Sequence, residues 1–569
     1  MGKEVLIKAV AQAIPNYVMS CFKIHDGCCK EIEAMLANFW WGSKEGGQKM
    51  HWLSWHRMAI SKQKGGMGFR GFSDFNKALL GKQCWRMLTD ENSLLGKIFK
   101  GRYFPNCSFL EALAGHQPSY AWRSILSARE LVHGGSRWAV GNGNKIKIWK
   151  DNWLPGHSNP KFCSPINTLS ESATVSELID FDLMRWNVNV IQQVFSPYEA
   201  GIISSMPLSS RLPEDKLVWP AEKNGIFSVK SAYHILCNTN LSHLPTSSSH
   251  SLSKLWKRIW SLHLPTRVRN FIWRLAKNII PTRGNLRWRG VPLDTICPLC
   301  FQDSETTDHL FMNCPLVQQV WFLSPLGARP SPDSDSINWL QTWLESKEVL
   351  ASLLFCTLLW KIWFFRNQTI FKLLAFDPLI VVSSAQSFVN EFNFVQPQTA
   401  RQSIRLGQLS WEAPPENFLK MNIDAGCRQD GKVFWGLVIR NHKSDVVFAA
   451  TKETDMVAEP VVAEVLGFRW GLQVATERRL SHVIFELDAQ VVVNCFKGIS
   501  VLSSISPFIR DCHNLYANMA DVSVVFTSRY CNEAAHELAQ AAKTLGTRTW
   551  EGNSENPLVW TLFVFVLFS

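Results

Sequence analysis

The feature that most constrains the fold is the order of strand and helix patterns between residues 418 and 542. The first pattern, FLKMNIDAG, places Leu419, Met421 and Ile423 on one face of an extended chain, as in a strand with one buried side. The later patterns predict a three-strand meander, a helix, a strand, two helical stretches, a last strand and a helix. We assign these segments to residues 418–426, 433–441, 445–450, 458–479, 482–488, 488–498, 504–518, 522–529 and 532–543.

This order of elements would bring together three acidic residues that are distant along the chain. Asp424 lies on the first strand, Glu464 on the following helix and Asp488 at the end of the fourth strand. Without a cation such a cluster repels itself, and the pKa values of its carboxyl groups rise. Mg²⁺ takes oxygen ligands, and two hard cations about 4 Å apart activate a water and stabilise the leaving oxygen in phosphodiester hydrolysis. Carboxylates are thus the residue types that a divalent metal site of this kind requires, and the alternative for each of the three is a solvated acidic residue.

The same region resembles type 1 ribonuclease H domains in four stretches, NIDAG, VVAEVLGFRWGL, FELDAQVVV and NEAAHELAQAA. The resemblance implies an α/β domain over residues 416–546, built from a mixed five-stranded sheet with flanking helices. It also implies that Asp424, Glu464 and Asp488 bind Mg²⁺ or Mn²⁺. The activity that it implies is cleavage of the RNA strand of RNA–DNA hybrids.

The last helix departs from the family pattern. The family usually carries a fourth Asp there, in a pattern similar to N-x-x-x-D-x-L-A, whereas this chain has Asn532 followed by His536 in the place of that Asp. His536 is therefore the fourth candidate catalytic residue, although a neutral imidazole binds Mg²⁺ less well than a carboxylate does. Two functions stay open at this point: a ribonuclease that cuts hybrids, and a nucleic-acid-binding protein whose carboxylate site no longer works.

A second group of metal-ligand residues lies upstream. Cys297, Cys300, His309 and Cys314 have the spacing C-x2-C-x8-H-x4-C, which fits tetrahedral Zn²⁺. All four positions are filled, so the spacing predicts a structural zinc ion, and free core cysteines are the alternative. Residues 225–323 resemble the zinc-binding domain found after plant reverse transcriptases, with the matching stretches IWSLHLPTRVRNFIWRL, IPTRGNL, CPLC and ETTDHLFMNCP.

A basic and aromatic stretch precedes the zinc ligands. Residues 254–290 contain ten Lys and Arg, no Asp or Glu, and several interleaved Trp and Phe residues. Cations neutralise phosphates and aromatic rings stack on bases, so the pattern favours a nucleic-acid contact. The alternative is a pair of amphipathic helices with the aromatic rings in the core and a solvated basic face. Both interpretations can hold together.

The remaining chain divides into predicted segments of less specific character. Residues 1–110 have helical patterns and include GGMGFRGF, which resembles the segment downstream of the polymerase core in plant LINE-type (non-LTR) retrotransposon reverse transcriptases. The chain has no Asp-Asp dipeptide, so we expect a C-terminal fragment that does not synthesise DNA. We predict a connecting region with a hairpin at Asn142-Gly143 over 111–215, a linker with a helical segment over 324–415, and a tail over 547–569.

Composition limits the class of partner and the compartment. The chain has 569 residues, 46% of them hydrophobic, and a net charge of +12, which predicts several packed domains and a polyanionic partner such as an RNA–DNA hybrid, RNA or DNA. No secretory signal opens the chain and the 15 Cys show no disulfide framework, so we expect an intracellular protein of the nucleus or cytoplasm. Residues 558–568 are too few to span a membrane, and Lys361 and Arg366 interrupt the apolar segment 353–371. Besides the ribonuclease and the inactive binding protein, a third interpretation is a decayed element without a selected role. The apolar C-terminus favours this interpretation.

Overall fold

The computed structural model describes residues 2–42, 50–155, 162, 164, 169–241, 249–330, 334–346, 348–395, 410–428 and 431–552, so the apolar segment 558–568 lies outside the described residues. The chain forms two compact units. The first comprises Met1–Leu80, Gln117–Ser127 and Tyr233–Ala400, and the second comprises Gly81–His116, Ala128–Ala232 and Arg401–Ser569. Each unit is assembled from three separate stretches, and the six consecutive segments of the sequence analysis stay predictions.

Helices dominate the chain before residue 396, which confirms the predicted helical character of its N-terminal and zinc-binding regions. The described helices are α1 (Gly2–Val5), α2 (Asn16–Cys21), α3 (Asp26–Trp41), α4 (Trp55–Ala59), α5 (Phe72–Thr89), α6 (Leu94–Tyr103), α7 (Tyr120–Leu126), α8 (Arg129–Gly135), α9 (Val188–Val194), α10 (Pro197–Ser205), α11 (Val229–Leu241), α12 (Ser249–Ser261), α13 (Thr266–Ala276), α14 (Arg283–Trp288), α15 (Pro315–Leu323), α16 (Ser336–Ser346), α17 (Val349–Lys372), α18 (Pro378–Val395), α19 (Pro460–Glu477), α20 (Gln490–Phe496), α21 (Ser506–Ala517) and α22 (Glu533–Leu545).

Strands concentrate in the last third of the chain. The described strands are β1 (Arg137–Ala139), β2 (Ile179–Asp180), β3 (Arg185–Trp186), β4 (Lys216–Val218), β5 (Leu419–Arg428), β6 (Lys432–Arg440), β7 (Val446–Asp455), β8 (Val483–Leu487), β9 (Val522–Phe526) and β10 (Arg548–Glu551). The last six form one sheet in the order β10-β7-β6-β5-β8-β9. Its β5–β8 and β8–β9 pairs are parallel and the others are antiparallel, so the sheet is mixed, as predicted.

The sheet has six strands rather than the predicted five, because residues assigned to the tail add β10 at the β7 edge. The residues of β10, RTWE, include a single apolar side chain and so show no alternating pattern in the sequence. The pairing of β10 with β7 is therefore evident only from the tertiary structure of the sheet.

The two faces of this sheet pack against different helices. Met421 and Ile423 of β5 belong to the large core that α19, α20 and α21 complete. On the other face, Val438 of β6 packs with Leu538 of α22. Since side chains alternate along a strand, Asn422 and Asp424 lie on the α22 face.

Gly436 allows α22 to approach the sheet closely. A Cβ atom at Gly436 would lie 2.2 Å from the carbonyl oxygen of Ala535 and 2.3 Å from the amide nitrogen of Ala539. Gly436 is also the cross-strand partner of Asp424. The missing side chain therefore sets the distance between this helix and Asp424.

The hairpin predicted at Asn142-Gly143 is wrong. Strand β1 pairs antiparallel with the distant β4 instead. The carboxylate of Asp215 accepts hydrogen bonds from the backbone N–H groups of Gly141, Gly143 and Lys145 at 2.8, 2.9 and 2.9 Å. The carboxylate of Asp215, which is distant in the sequence, thus satisfies these three N–H groups. The turn therefore needs no hydrogen bonds between two adjacent strands of a hairpin.

Helix α17 is long and apolar enough to cross a membrane by length and composition, and half of its apolar window is buried inside the protein. It packs against α13 and α18. Its Arg366 forms a buried ion pair with Glu305. The helix thus packs on its neighbours within the protein.

Substitution Gly436→Ala is expected to destabilise the second unit by about 1–3 kcal/mol, the usual cost of overpacking a close contact. The measurement is chemical unfolding of the full chain, followed by circular dichroism. Gly426→Ala is the matched control, since no atom lies within 4 Å of a Cβ built at Gly426 of β5. Equal unfolding midpoints for both variants would contradict the close packing described here.

Candidate metal centres

The register of two parallel strands brings Asp424 and Asp488 together. Ile423 of β5 pairs with Leu487, the last residue of β8, and the next residue along the chain is an aspartate in both places. Neighbouring strands lie about 4.8 Å apart in the direction of their hydrogen bonds. Two residues distant in sequence therefore become neighbours at the edge where β8 ends.

The third carboxylate comes from α19, which packs against β5. Ligand oxygens of Asp424, Glu464 and Asp488 all lie within 4.8 Å of one another. Asp424 is buried and the other two are partly buried. Oxygen ligands at this spacing, offered by three separate elements, fit the coordination that Mg²⁺ or Mn²⁺ requires.

Burial and mutual repulsion disfavour the charged forms of these carboxyl groups in the metal-free protein. Burial raises the pKa of Glu464 well above its ordinary value, and the neighbouring carboxylates of Asp424 and Asp488 raise it further. Burial also raises the pKa of Asp424, although its hydrogen bond from His536 acts in the opposite direction. The pKa of Asp488 is raised by burial and by Asp424. A divalent cation at this point would relieve the repulsion.

His536 contacts the carboxylate cluster from α22. Its Nδ1 lies 2.9 Å from Oδ2 of Asp424, and its Nε2 lies 3.3 Å from an Nη atom of Arg529. The metal-ligand group of three carboxylates does not include His536. The imidazole that replaces the family's fourth carboxylate is therefore a hydrogen-bond partner of Asp424 in this structure.

A buried polar network lies beneath the site. Asn422, the neighbour of Asp424 on the same face of β5, donates to Glu486 at 2.8 Å and to Asn532 at 3.1 Å. Asn532 in turn donates to the carbonyl oxygen of Ile423 at 3.0 Å. The network fixes the start of α22 against β5, so it also fixes where His536 meets Asp424.

Trp411 and two cationic side chains contact Glu486 or each other at the edge of this network. The indole of Trp411 donates to Glu486 at 3.0 Å, and the guanidinium of Arg440 stacks on its ring at 3.4 Å from the ring centroid. Lys420 forms a 3.0 Å ion pair with Glu486. Sequence analysis missed this network, because its members share no local pattern and are joined only by strand pairing.

The first unit contains the second metal-ligand cluster. The ligand atoms of Cys297, Cys300, His309 and Cys314 all lie within 4.8 Å of one another. Zn–S bonds of about 2.3 Å in a tetrahedron place sulfur atoms about 3.8 Å apart, so this spacing fits Zn²⁺. The pKa of Cys297 is lowered because Cys314 donates a hydrogen bond to its sulfur, which favours the thiolate form that binds metal.

A buried ion pair anchors the loop that carries these ligands. Glu305 lies between Cys300 and His309 and is fully buried. It accepts from Arg366 of α17 at 2.6 Å and from the backbone N–H of Arg283 at 2.7 Å. Removing one partner of such a pair leaves an uncompensated buried charge, so α17 and α14 hold the loop in place. The sequence offered no signal for this pair.

The basic stretch at 254–290 is used largely within the first unit. Trp256, Phe271 and Trp273 are buried core residues. The Nζ atom of Lys277 lies 4.5 Å from the centroid of the Trp256 ring. The Cζ atom of Arg267 lies 4.9 Å from the centroid of the Trp360 ring. The buried rings fit the amphipathic-helix interpretation, and cations of the stretch such as Arg267 and Lys277 lie over aromatic rings of the fold.

The end of α14 is an exposed part of the stretch that also carries an aromatic ring. Trp288 is 80% exposed and lies between two exposed arginines, Arg287 and Arg289. The guanidinium of Arg289 lies 5.1 Å from the centroid of the Trp288 ring. An exposed indole between cations suits stacking on an unpaired base. This short segment therefore still fits the interpretation of the stretch as a nucleic-acid contact.

Substitution Glu464→Gln is expected to stabilise the metal-free protein by about 0.5–2 kcal/mol, a usual gain when a strained functional position is relieved. The amide removes one of three mutually repelling carboxylates while keeping the size of the side chain. The change in stability is measured by thermal unfolding of the parent and the variant in the presence of a chelator. The same variant is expected to lose the stabilisation that Mg²⁺ or Mn²⁺ gives the parent, and a lower unfolding temperature without metal would contradict the account. Glu477→Gln at the other end of α19 is the control.

Metal analysis of the purified full chain is expected to give one equivalent of zinc, lost in the double variant Cys297→Ser, Cys300→Ser. The serine hydroxyls are poor zinc ligands, so the unfolding temperature of the first unit should fall with the metal. Cys28→Ser removes an exposed thiol of α3 and serves as the control. Zinc retained by the double variant would contradict the assigned ligands.

Comparison with known proteins agrees with both clusters. Residues 227–321 match the family described as zinc-binding in reverse transcriptase, and residues 422–542 match the family described as reverse transcriptase-like. Over 582 residues the chain is 24% identical to an Arabidopsis thaliana protein named "Putative ribonuclease H protein", with 96% of this chain and 89% of that protein covered.

Two further similarities cover shorter stretches. The crystal structure of RNase H1 from the halophilic archaeon Halobacterium salinarum aligns with 22% of this chain and 96% of its own, at 20% identity and a TM-score of 0.21. An uncharacterized mitochondrial protein of Arabidopsis thaliana is 41% identical over 143 residues, which are 25% of this chain and 93% of that protein. The chain belongs to the same family as this mitochondrial protein, and it carries a reverse-transcriptase zinc-binding segment followed by an RNase H-like domain.

Proposed function

We propose that the domain at residues 416–546 is a metal-dependent ribonuclease that hydrolyses the RNA strand of RNA–DNA hybrids. The observation that carries the proposal is the convergence of Asp424, Glu464 and Asp488 within 4.8 Å on an RNase H-like sheet. The family match over residues 422–542 and the ribonuclease H name of the relative that the chain resembles along most of its length support it.

The chain's own residues have distinct tasks in this reaction. Bound divalent cations supply an activated water and stabilise charge on the leaving oxygen. Asp424, Glu464 and Asp488 would hold them through carboxylate oxygens. His536 donates to Asp424 and fixes the orientation of its carboxylate. The network of Asn422, Glu486 and Asn532 holds the site rigid, as positioning of the reacting groups requires.

We propose that the zinc-binding segment has a structural role and adds contacts to nucleic acid. Its four ligands leave no open coordination position. The exposed Trp288 with Arg287 and Arg289 offers a stacking ring and phosphate-binding charge next to it. The net charge of +12 supports a polyanionic partner.

We further propose that the chain derives from a plant LINE-type retrotransposon reverse transcriptase. The order of its parts, a zinc-binding segment followed by an RNase H-like domain, supports this origin. The GGMGFRGF segment near the N-terminus adds to it. The alternatives are a binding protein with an inactive site and a decayed element, and the contact of His536 with Asp424 favours the first of these two.

Purified full chain is expected to cut the RNA strand of a labelled RNA–DNA hybrid when Mg²⁺ or Mn²⁺ is present. Asp424→Asn should lower the rate about 100-fold or more, since it weakens cation binding at the centre of the cluster. Asp455→Asn, which alters an exposed carboxylate at the end of β7, should change the rate less than twofold (about the error of such assays). Equal gel-resolved cleavage by parent and Asp424→Asn would point to a contaminating nuclease.

Binding of the hybrid without cleavage in either metal would favour the inactive binding protein. In that case His536→Asp, which restores the fourth carboxylate of the family pattern, is the variant to test for recovered activity.

A further inference from the structure

An exposed arginine lies at the rim of the carboxylate cluster. Arg529 begins the short 3-10 turn Arg529–Asn532 that leads into α22. Its side chain faces solvent, and one Nη atom lies 3.3 Å from Nε2 of His536. The sequence analysis assigned no role to this residue.

The hydrogen bonds of His536 determine how this arginine is held. A guanidinium only donates, so Nε2 of His536 accepts from Arg529 and carries no proton. The proton of the neutral ring then lies on Nδ1, which donates to Asp424. Both ring nitrogens are engaged, and His536 acts as a bridge between Asp424 and Arg529 in this structure.

The charge of Arg529 acts on the whole site. Its guanidinium lies close enough to Asp424, Glu464 and Asp488 to attract all three carboxylates. A divalent cation held by these carboxylates would neutralise their charge, and the guanidinium would keep its own, because arginine stays protonated in proteins. An exposed, oriented cation is then left beside the metal site.

We propose that Arg529 is a phosphate-binding residue that positions the nucleic-acid backbone at the carboxylate cluster, with His536 holding its guanidinium in place. A guanidinium suits this task, since its N–H groups form paired, charge-assisted hydrogen bonds with the oxygens of a phosphodiester. The inference rests on the proposed function, because it takes the ligand to be a nucleic acid. It explains why an imidazole at position 536 is compatible with a working site: the ring holds a cation for the substrate.

The test measures binding of a fluorescein-labelled RNA–DNA hybrid to the full chain by fluorescence anisotropy, with Ca²⁺ replacing Mg²⁺ so that binding is separated from cleavage. Arg529→Ala is expected to weaken affinity about tenfold, the effect of losing a hydrogen bond between charged groups. The slope of log Kd against log salt concentration should fall by about one, as one phosphate contact is lost. Arg529→Lys should recover the slope and part of the affinity.

Arg510→Ala is the matched control, because it removes an exposed arginine from α21 of the same domain. It is expected to leave both the affinity and the salt slope close to those of the parent. His536→Ala should weaken binding in the same direction as Arg529→Ala, and the double variant should add little to either, because the two residues act as one unit.

The outcomes separate this inference from the proposed activity. If the parent cuts the hybrid and Arg529→Ala binds like Arg510→Ala, the inference is overturned while the ribonuclease stands. If the parent binds without cutting and Arg529→Ala lowers affinity and slope, the inference stands while the ribonuclease is overturned. A parent that binds no hybrid overturns both.

Discussion

Three carboxylates held within 4.8 Å of one another are the constraint on which the rest of the last domain depends. Such a group repels itself and is costly to bury. It persists because each member is attached to a different rigid element: a central strand, a packed helix and the end of a parallel strand. The surroundings supply partial compensation through His536 and Arg529. A fold that did not need a cation here would gain stability by losing one of the acids.

The rigidity that holds these groups comes from close backbone approach and from buried polar contacts. Gly436 lets α22 rest directly on β6, opposite Asp424. The hydrogen bonds of Asn422 and Asn532 then fix the beginning of that helix. Because every polar group of such a network must find a partner, the arrangement specifies one position for α22 rather than several. That position decides which atom of His536 meets Asp424.

The loop of the zinc-binding segment is also held in one conformation, by different interactions. Four metal-ligand side chains and the buried Glu305–Arg366 ion pair hold this loop, together with apolar side chains such as Phe311 that enter the core. The neighbouring helices use arginines and lysines as covers for tryptophan rings. A strongly basic sequence is thereby compatible with a packed interior, and within the described residues of 254–290 the end of α14 combines exposed cations with an exposed indole. Charge in a sequence therefore does not by itself locate a nucleic-acid surface.

The sequence by itself determined the elements of the last domain and the residue types of both clusters. Alternation in FLKMNIDAG and the spacing of Cys297, Cys300, His309 and Cys314 are local, so the printed chain displays them. Only the tertiary structure decided the sixth strand, the pairing of β1 with β4, the network around Asn422 and the contact of Arg529 with His536. These features join residues far apart in the chain, and their energies depend on strand register and helix packing, which no short sequence window contains.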